Sequence, residues 1–324
     1  MKVCMLTSTH KPFDVRVFHK ESRSLAKFHE VTIIAPDEKK WKKIIDNVRI
    51  IAVKKPESKI LHLVTLWRVF KEGLKQDCDV YHCHEPDSLI IGLILKILKR
   101  NKVKIIYDVH EHWPSEIAYG WLKIKKKLLR IIIEGISHLF ELTLLKYVDS
   151  VIAVSHSVAE RFCRIKQVVI IPNVPVVEII PFKNLNSVED CDLVQMGGGI
   201  KSYHGVYEIL NALKKVKKKY PKVRIKFVGA VKEDVDDVFN GLEGNIILVG
   251  YLPIEKMYEE ISKCKVGFTI LKSEFYNAYI GLPNKVFDYM VCGLAVIGSN
   301  YPEIRKVIKT AKCGILVNRA MLRK

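Results

Sequence analysis

A glycine-containing turn that runs into a short helix is the segment of this sequence best suited to bind an anion. Residues 281–297 read Gly-Leu-Pro-Asn-Lys-Val-Phe-Asp-Tyr-Met-Val-Cys-Gly-Leu-Ala-Val-Ile. Proline suits a first helical turn and glycine suits the stop, so we expect a helix from near Pro283 that ends at Gly293. The N–H groups at 283–286 would receive an anion, and Lys285 would add positive charge. The alternative is an ordinary helix with a polar first turn.

A second glycine-rich turn precedes another long helical pattern. Residues 197–205 read Gly-Gly-Gly-Ile-Lys-Ser-Tyr-His-Gly and follow a short apolar strand. Glycines without a Cβ let backbone amides approach a diphosphate closely. Lys201 and His204 would supply charge-assisted hydrogen bonds to it. The alternative is a glycine-rich turn with nothing bound.

Histidines and acids cluster in two stretches nearer the start of the chain. Residues 79–85 read Asp-Val-Tyr-His-Cys-His-Glu, and residues 107–112 read Tyr-Asp-Val-His-Glu-His. Each stretch ends an apolar strand, so both clusters are expected at the carboxyl edge of one sheet. His82 and His84 share one face of a strand, as do His110 and His112, which is a spacing that a metal site can use. Three interpretations stay open: a catalytic or sugar-binding role, metal binding, and structural hydrogen bonding.

No segment outside these clusters has a convincing metal-ligand pattern. The acidic pairs Glu189–Asp192 and Asp234–Asp237 lie in polar runs that are typical of solvated surface. The eight cysteines occur singly, without a C-x-x-C pair. Buried thiols in a reducing cytosol explain them better than disulfides or zinc. We therefore expect no metal and no cofactor, apart from the substrate itself.

An alternation of strands and helices positions these residues. The spacing predicts a first series of strands at Val3–Thr7, Val31–Ala35, Val48–Val53, Val80–His84, Lys104–Val109, Ser150–Val154 and Val168–Ile171, with helices at Phe18–Lys27, Ile60–Lys75, Ser88–Lys99 and Ile124–Tyr147. A second series has strands at Asp192–Met196, Arg224–Val228, Ile246–Val249, Val266–Ile270, Ala295–Gly298 and Gly314–Val317, with helices at Gly205–Lys218, Ile254–Ser262, Asn284–Val291 and Pro302–Ile308. Apolar strands joined by helices predict parallel sheets covered on both faces.

The two series predict two α/β domains. The segment Ile171-Pro-Asn-Val-Pro175 interrupts the pattern, so we expect one domain at 1–175 and another at 176–324. A length of 324 residues suits two such domains. Two doubly wound units predict a ligand cleft at the carboxyl ends of their strands. No G-x-G-x-x-G follows the first strand, which disfavours a nicotinamide-dependent dehydrogenase.

The net charge of +19 predicts an anionic partner or surface. There is no zinc finger and no aromatic RNA-binding strand motif, so nucleic acid is not favoured. The chain has no segment of about 18 uncharged apolar residues, and its first strand is too short for a signal peptide. These features predict a cytoplasmic protein.

One basic segment is suited to a membrane surface. Residues 121–133 read Trp-Leu-Lys-Ile-Lys-Lys-Lys-Leu-Leu-Arg-Ile-Ile-Ile. Such a mixture is typical of a helix that lies on an anionic bilayer, and it predicts peripheral attachment at the inner membrane face. The alternative is a core-packing helix with a solvated basic face.

Taken in order along the chain, these motifs resemble the retaining glycosyltransferases of family four, which have the GT-B fold of two Rossmann-like domains facing across a cleft. The likeness covers nearly the whole chain in the family's order. It rests on Asp14–Glu21, Asp79–His84, Tyr107–Glu111, Val151–Ser155, Ile171–Asn173, Gly198–Gly205, Gly281–Val296 and Tyr301–Glu303.

The resemblance implies a role for each candidate residue. His110 would contact the transferred sugar, Asp288 would hold the ribose, and Lys201 and His204 would face the phosphates. The nucleotide diphosphate sugar would be bound by Gly198, Gly199, Gly281, Leu282, Pro283, Asn284, Lys285 and Asp288. Such enzymes transfer a sugar with retention and without a metal, to an acceptor that is often a glycan or a lipid-linked glycan.

Several positions depart from the family pattern and keep two alternatives open. Ile280 and Asp288 replace the two glutamates of a family motif, and His204 and Gly198 replace basic residues. Relatives also continue beyond the last predicted strand, so we expect a second domain that lacks its last helices, as in a truncated form. The alternatives are a non-catalytic, nucleotide-sugar-binding subunit of a glycosyltransferase complex and a nucleotide-sugar epimerase of the same fold.

Overall fold

The computed structural model describes residues 1–180, 191–232, 239–272 and 276–318. The chain divides into two compact units, Met1–Asn173 and Val174–Lys324, here called unit 1 and unit 2. Glu189 and the pair Asp234–Asp237 lie outside the described residues.

Unit 1 is built on an eight-stranded sheet with the order β3-β4-β2-β1-β5-β6-β7-β8. Its strands are β1 Lys2–Leu6, β2 Glu30–Asp37, β3 Trp41–Ile45, β4 Val48–Lys54, β5 Val80–Cys83, β6 Lys104–Val109, β7 Ser150–Ala153 and β8 Val168–Ile170. All neighbours pair in parallel except β3 and β4, which are antiparallel. The central strands are buried along most of their length, as strands covered on both faces must be.

Six helical segments join the strands of unit 1. They are α1 Val15–Ser22, which continues as one turn at Arg23–Leu25; α2 His62–Leu74; α3 Pro86–Leu98; α4 Trp113–Ser115, which continues as a π-helix at Glu116–Trp121; α5 Lys127–Leu145; and α6 His156–Ala159. Because β1, β5 and β6 are parallel neighbours, the segments that follow them meet at one edge of the sheet.

Unit 2 has a parallel sheet of six described strands in the order β11-β10-β9-β12-β13-β14. They are β9 Leu193–Met196, β10 Ile225–Val228, β11 Ile246–Gly250, β12 Val266–Thr269, β13 Ala295–Ser299 and β14 Gly314–Val317. The described helices are α7 Val206–Lys219, α8 Ile254–Ile261, α9 Tyr276–Ile280, α10 Asn284–Val291 and α11 Pro302–Ala311. Apolar clusters fill the space between helices and sheet in this unit.

The predicted strands are all present, with ends within two residues of those expected. The sequence prediction missed β3, whose exposed lysines and mixed burial hide its strand character at the sheet edge. It also placed the first helix too late, at Phe18, whereas α1 begins at Val15 as a π-helix. Asp14 causes the early start, because its carboxylate accepts the N–H groups of Arg16 at 2.8 Å and Val17 at 3.0 Å.

Among the described residues, no helix combines the length and the apolar character needed to cross a bilayer. All eight cysteines are unpaired, which agrees with the prediction that they form no disulfides.

Substituting Gly205 with alanine should destabilise unit 2. Gly205 caps α7 with φ at +71°, and an added Cβ would lie 2.4 Å from Cγ2 of Ile270. Left-handed backbone and a clash together are expected to cost about 2–4 kcal/mol, measured as a shift of the thermal or urea unfolding transition. Gly198→Ala is the control in the same loop, because an added Cβ there has no atom within 4 Å. Equal stability of the two variants would contradict the strain argument.

Candidate active site

A buried ion pair organises the carboxyl edge of the sheet in unit 1. Arg16 on α1 donates to Asp108 on β6 from Nη2, at 3.0 Å to Oδ1 and 2.9 Å to Oδ2, and from Nε, at 3.2 Å to Oδ2. Its Nη1 donates to the carbonyl of Ile171 at 3.1 Å, and its Nε lies 2.7 Å from Oε1 of Glu21. A guanidinium and a carboxylate that are both buried need this degree of pairing to stay charged.

The π-helical winding of α1 brings Arg16 and Glu21 together. In a π-helix the hydrogen bonds run from residue i to i+5, so residues five apart lie about one turn apart. In an α-helix the same two side chains would point in clearly different directions. The sequence predicted no role for Arg16 or Glu21, although both lie in the motif Asp14–Glu21.

Four histidine rings gather beside the ion pair. Nδ1 of His84 lies 3.3 Å from Nε2 of His110, and the ring of His10 is centred 5.2 Å from that of His110. His82 stacks on His84 at 4.7 Å between ring centroids, which confirms that these two share a strand face. Nε2 of His110 is also 3.5 Å from Oδ2 of Asp108. His110, the candidate sugar contact, is therefore held by His84 and Asp108.

His10 is a member of this group that sequence reasoning missed. It follows β1 directly, and that position at the end of a central strand was the available signal. Burial lowers the pKa of His10, but the hydrogen bond with Asp14 and the charges of Glu85 and Asp14 outweigh it and raise the pKa to about 9. His10 is therefore an imidazolium at neutral pH. It places a positive charge beside His110.

Glu85 fixes the loop that carries His10. Its carboxylate accepts hydrogen bonds from the hydroxyls of Thr7 and Thr9, the latter at 2.7 Å, and from the N–H of Ser8 at 3.2 Å. It also caps α3 together with Ser88. One buried carboxylate thus ties the end of β1 to the start of a helix.

Charge and burial set the protonation of the remaining groups. Burial opposes ionisation of Asp108, but His110, His82 and Arg16 hold its pKa well below the usual range. Burial lowers the pKa of His84 strongly, and the neighbouring His82 and His110 add to the effect, so His84 is neutral. Burial and the charge of Asp108 raise the pKa of Glu21 well above its usual value.

His112 lies outside the histidine group, which corrects the expectation that it pairs with His110. Its Nδ1 lies 2.7 Å from Oγ of Ser115 and accepts the N–H of Ser115 at 3.2 Å. This histidine caps the start of α4. Its role in the structure is to cap the N-terminus of this helix.

In unit 2, the 197–205 turn follows β9 and is held against β10. The N–H of Gly197 donates to the carbonyl of Val228 at 3.0 Å, and that of Ile200 donates to Ala230 at 2.8 Å. Gly229 must be glycine, because a Cβ there would lie 1.8 Å from the carbonyl oxygen of Gly197. The backbone at Gly198 and Gly199 forms the tip of the turn between these two anchored positions.

His204 is neutral in this turn. Its Nδ1 accepts the N–H of Lys201 at 3.0 Å, so the proton is on Nε2. Burial, with the charges of Lys285 and Lys201 adding to it, lowers the pKa of His204 to about 3. His204 can donate a hydrogen bond from Nε2, but it brings no positive charge at neutral pH. The influence of Lys285 shows that the turn and the start of α10 are close together.

Lys285 is the most unusual charged group of unit 2. Its ammonium is buried and has no hydrogen-bond partner among the residues that the structure describes. Burial lowers the pKa of Lys285 to about 8, although the charge of Asp288 opposes this. Asp288 is itself buried and accepts a hydrogen bond from the hydroxyl of Tyr258 at 2.7 Å. A buried ammonium without a partner is suited to receive an anion.

Tyr289 connects the two candidate segments. It lies on α10 beside Asp288, and its hydroxyl accepts the N–H of Met196 at 3.0 Å and donates to the carbonyl of Phe268 at 3.3 Å. Met196 immediately precedes the glycine turn. Gly267 makes room for the ring, since a Cβ there would lie 2.4 Å from it. The helix with Lys285 and Asp288 is therefore fixed relative to the turn with His204.

The structure corrects part of the predicted amide cradle at 281–286. Pro283 has no N–H group, the N–H of Gly281 donates to Asn277 at 2.8 Å, and that of Val286 donates to Pro283 at 3.1 Å. Leu282, Asn284 and Lys285 are the residues of this stretch that remain as candidate amide donors. Ile280 is buried, so the position where the family carries a glutamate has an apolar side chain within the core.

Both halves of the chain match glycosyltransferase families. A family model described as Glycosyltransferase Family 4 matches residues 15–174, and one described as Glycosyl transferases group 1 matches residues 192–322. The chain is a glycosyltransferase. A comparison with curated proteins finds no match.

Solved glycosyltransferase structures share the fold of this enzyme, which is GT-B. Sucrose-phosphate synthase from Thermosynechococcus elongatus superposes with a TM-score of 0.72 at 14% identity, over 98% of this chain and 86% of that one. Anabaena HepE in complex with UDP superposes with a TM-score of 0.67 at 13% identity, over 98% of this chain and 86% of that one. The lipopolysaccharide outer core galactosyltransferase WaaB superposes with a TM-score of 0.62 at 12% identity, over 100% of this chain and 87% of that one.

Replacing Lys285 with methionine should stabilise the glycosyltransferase at neutral pH. At pH 7 the lysine is charged in both folded and unfolded chains, so the folded state bears the full penalty of burial. Between about pH 8 and pH 10.5 the folded protein has lost the proton of Lys285 while the unfolded chain still holds it, so the stability of the wild type rises with pH. We expect Lys285→Met to be about 1–3 kcal/mol more stable at pH 7, and the difference to disappear above pH 10.5, in urea unfolding at several pH values.

The exposed Lys215 on α7 provides the matched control. Lys215→Met should change stability by less than about 0.5 kcal/mol at every pH. A Lys285→Met variant that is less stable than wild type at pH 7 would show that the ammonium has a stabilising partner.

Proposed function

We propose that this glycosyltransferase transfers a sugar from a nucleotide diphosphate sugar to a glycan or lipid-linked acceptor, with retention of configuration and with no metal taking part in the transfer. The buried, unpaired ammonium of Lys285 carries the proposal, since it is aligned with Asp288 and the glycine turn by Tyr289. HepE is a GT-B neighbour whose structure contains UDP, which supports a nucleotide-bound donor and favours uridine as the first base to test.

In the proposed reaction, unit 2 binds the nucleotide. The role that the family resemblance implies for His110 is contact with the transferred sugar. The bond between the sugar C1 and the phosphate oxygen breaks, and its electron pair leaves with the diphosphate. Lys285 and the Nε2–H of His204 stabilise the charge that develops there, assisted by Lys201. The acceptor hydroxyl bonds to C1 from the same side and gives its proton to the departing phosphate. Asp288 holds the ribose hydroxyls, although Tyr258 already occupies its Oδ1.

Donor binding can be tested by thermal stabilisation with UDP-, GDP- and ADP-sugars. One series should raise the melting temperature of the wild type, because a ligand that binds only the folded state stabilises it. Asp288→Asn and Lys285→Met should each weaken that binding by about 10- to 100-fold, which is the range expected for hydrogen bonds to charged groups. Product analysis by NMR should then show the anomeric configuration of the donor.

The control for donor binding is Glu243→Gln, an exposed acid of the same unit. It should bind the donor as the wild type does. A folded wild type that no series stabilises would contradict the donor proposal, and binding without any transfer would favour the non-catalytic alternative. Conversion of the donor sugar in the absence of acceptor would favour an epimerase.

We also propose that unit 1 attaches to an anionic membrane surface at the cytoplasmic side, where a lipid-linked acceptor would be available. In α5 only Glu141 and Leu145 are buried. The exposed apolar side chains of this helix are Leu128, Leu129, Ile131, Ile132, Ile136, Leu139 and Phe140. A core-packing helix would bury them, so the exposures favour the membrane interpretation.

Basic residues and a second helix extend this apolar surface. Exposed lysines at 123, 125, 126 and 127 precede α5, next to the exposed Trp121 and Leu122. The ring of His62, at the start of α2, contacts Trp121 at 5.5 Å between centroids. Apolar side chains with a basic border are complementary to an anionic bilayer surface. The eight free thiols support the cytoplasmic location.

Changing Lys125, Lys126 and Lys127 together to glutamine should weaken membrane binding. Each lysine near an anionic surface contributes about 1 kcal/mol, so the triple variant should bind about 100-fold more weakly to vesicles containing phosphatidylglycerol. Sedimentation with vesicles measures this. The control removes the same charge from the end of α7 by changing Lys217, Lys218 and Lys219 to glutamine. Equal loss in both triple variants would show that net charge alone causes binding, and would contradict the proposed surface.

A further inference from the structure

The ion pair in unit 1 borders a set of side chains with the composition of a metal site. Glu21, His82, His84 and Asp108 each offer one ligand atom, and the four atoms all lie within 4.8 Å of one another. Two of these residues come from β5 or its end, one from β6 and one from α1. Ligands that converge from three separate elements form a preorganised set rather than a local surface cluster.

The distances between ligand atoms approach those of a tetrahedral site. Oδ2 of Asp108 is 3.5 Å from Nε2 of His82 and 3.8 Å from Nδ1 of His84. Oε2 of Glu21 is 3.9 Å and 4.0 Å from the same two nitrogen atoms. Zinc with bonds of about 2.0–2.1 Å separates tetrahedral ligands by about 3.3–3.4 Å. These four distances exceed the tetrahedral separation by up to about 0.7 Å, and every pair of the four ligand atoms lies within 4.8 Å, so the ligands would have to move inward when the ion binds.

Several buried acceptor atoms in this cluster receive no hydrogen bond from any residue that the structure describes. Nε2 of His82 and both carboxylate oxygens of Glu21 make no hydrogen bond, and the His82 side chain is only 5% exposed. His84 points Nε2 at Sδ of Met5, 3.4 Å away. The thioether can only accept, so the proton of His84 belongs on Nε2. Its Nδ1 lone pair lies 3.3 Å from Nε2 of His110, 3.8 Å from Asp108 and 4.0 Å from Glu21. Such a group of acceptors requires a cation or a proton between them.

Arg16 leaves room for that cation. It contacts Oε1 of Glu21 and both oxygens of Asp108, so Oε2 of Glu21 keeps its lone pairs for another partner. When both carboxylates are ionised as metal ligands, they and the guanidinium carry one net negative charge, which a divalent ion would convert to one positive charge. Arg16 would then orient both carboxylates from outside the site, as residues behind metal ligands commonly do.

We propose that Glu21, His82, His84 and Asp108 bind one divalent transition-metal ion, with Zn²⁺ the best match to two imidazoles and two carboxylates. The ion would take Nδ1 of His84 and Oδ2 of Asp108, the atoms that lie 3.3 Å and 3.5 Å from Nε2 of His110 in the structure. Metal binding would therefore change the contacts of His110, and the ion would lie in unit 1 rather than at the diphosphate. Its presence does not depend on the proposed transfer reaction, so the two proposals can fail separately.

The test measures metal binding by the full chain directly. Protein dialysed against EDTA should take up about one equivalent of Zn²⁺ per chain, as measured by elemental analysis after removal of free metal. Co²⁺ in the same site should give the intense visible absorption of a tetrahedral ion, and Zn²⁺ should raise the melting temperature. His82→Gln and Glu21→Gln should each lower the affinity by about tenfold or more.

His156→Gln is the matched control, since His156 is exposed on α6 and outside the cluster. It should retain the full equivalent of metal and the Co²⁺ spectrum. If the variants of the cluster do not fold, the stoichiometry and the Co²⁺ spectrum of the wild type decide the matter alone. Wild type without a saturable site, or metal lost equally from His156→Gln, would overturn the proposal and show that a shared proton occupies the cluster.

Discussion

The buried pair of Arg16 and Asp108 is the interaction on which the organisation of unit 1 depends. It joins α1 to β6 and, through the carbonyl of Ile171, to the chain just after β8. Removing one partner of a buried pair leaves an uncompensated charge, which costs about 3–5 kcal/mol. The pair also presents an ionised Asp108 to His82, His84 and His110, at 3.5 Å, 3.8 Å and 3.5 Å from one ring nitrogen of each. The arrangement of these histidines therefore depends on this one contact.

In unit 2, close packing rather than a buried ion pair holds the candidate functional groups in place. Its candidate groups are held by close packing of glycine against a large ring, where Gly267 admits Tyr289 and Tyr289 anchors the strand before the glycine turn. Within this rigid frame, Lys285 bears a charge that is buried and without a hydrogen bond. Such an arrangement is unfavourable for the stability of the free protein and favourable for binding an anion, which is the usual conflict between stability and activity at a functional site.

Much of the fold was predictable because its local signals agree with its tertiary structure. Buried strands with β-branched residues, helices between them and glycine at turns all indicate the same α/β pattern. The failures have physical reasons. The exposed lysines of β3 make this edge strand hard to recognise in the sequence. The start of α1 is a π-helix, whose period differs from that of an α-helix. The amide cradle was overestimated because Gly281 and Val286 use their N–H groups within their own helical turns.

The sequence by itself determined the class of fold, the order of the elements and the two segments of unit 2 that are suited to a nucleotide diphosphate. These features follow from the spacing of apolar residues and from the positions of glycine, both of which are local properties of the sequence. Only the tertiary structure decided which polar groups meet: His10 lies beside His110, Arg16 pairs with Asp108 and Glu21, and the ammonium of Lys285 has no hydrogen-bond partner in the described part of the chain. Protonation was decided there too, because desolvation and charge depend on neighbours that are distant in sequence. His204 is neutral and His10 is charged for that reason, although both are histidines that follow a strand in the sequence.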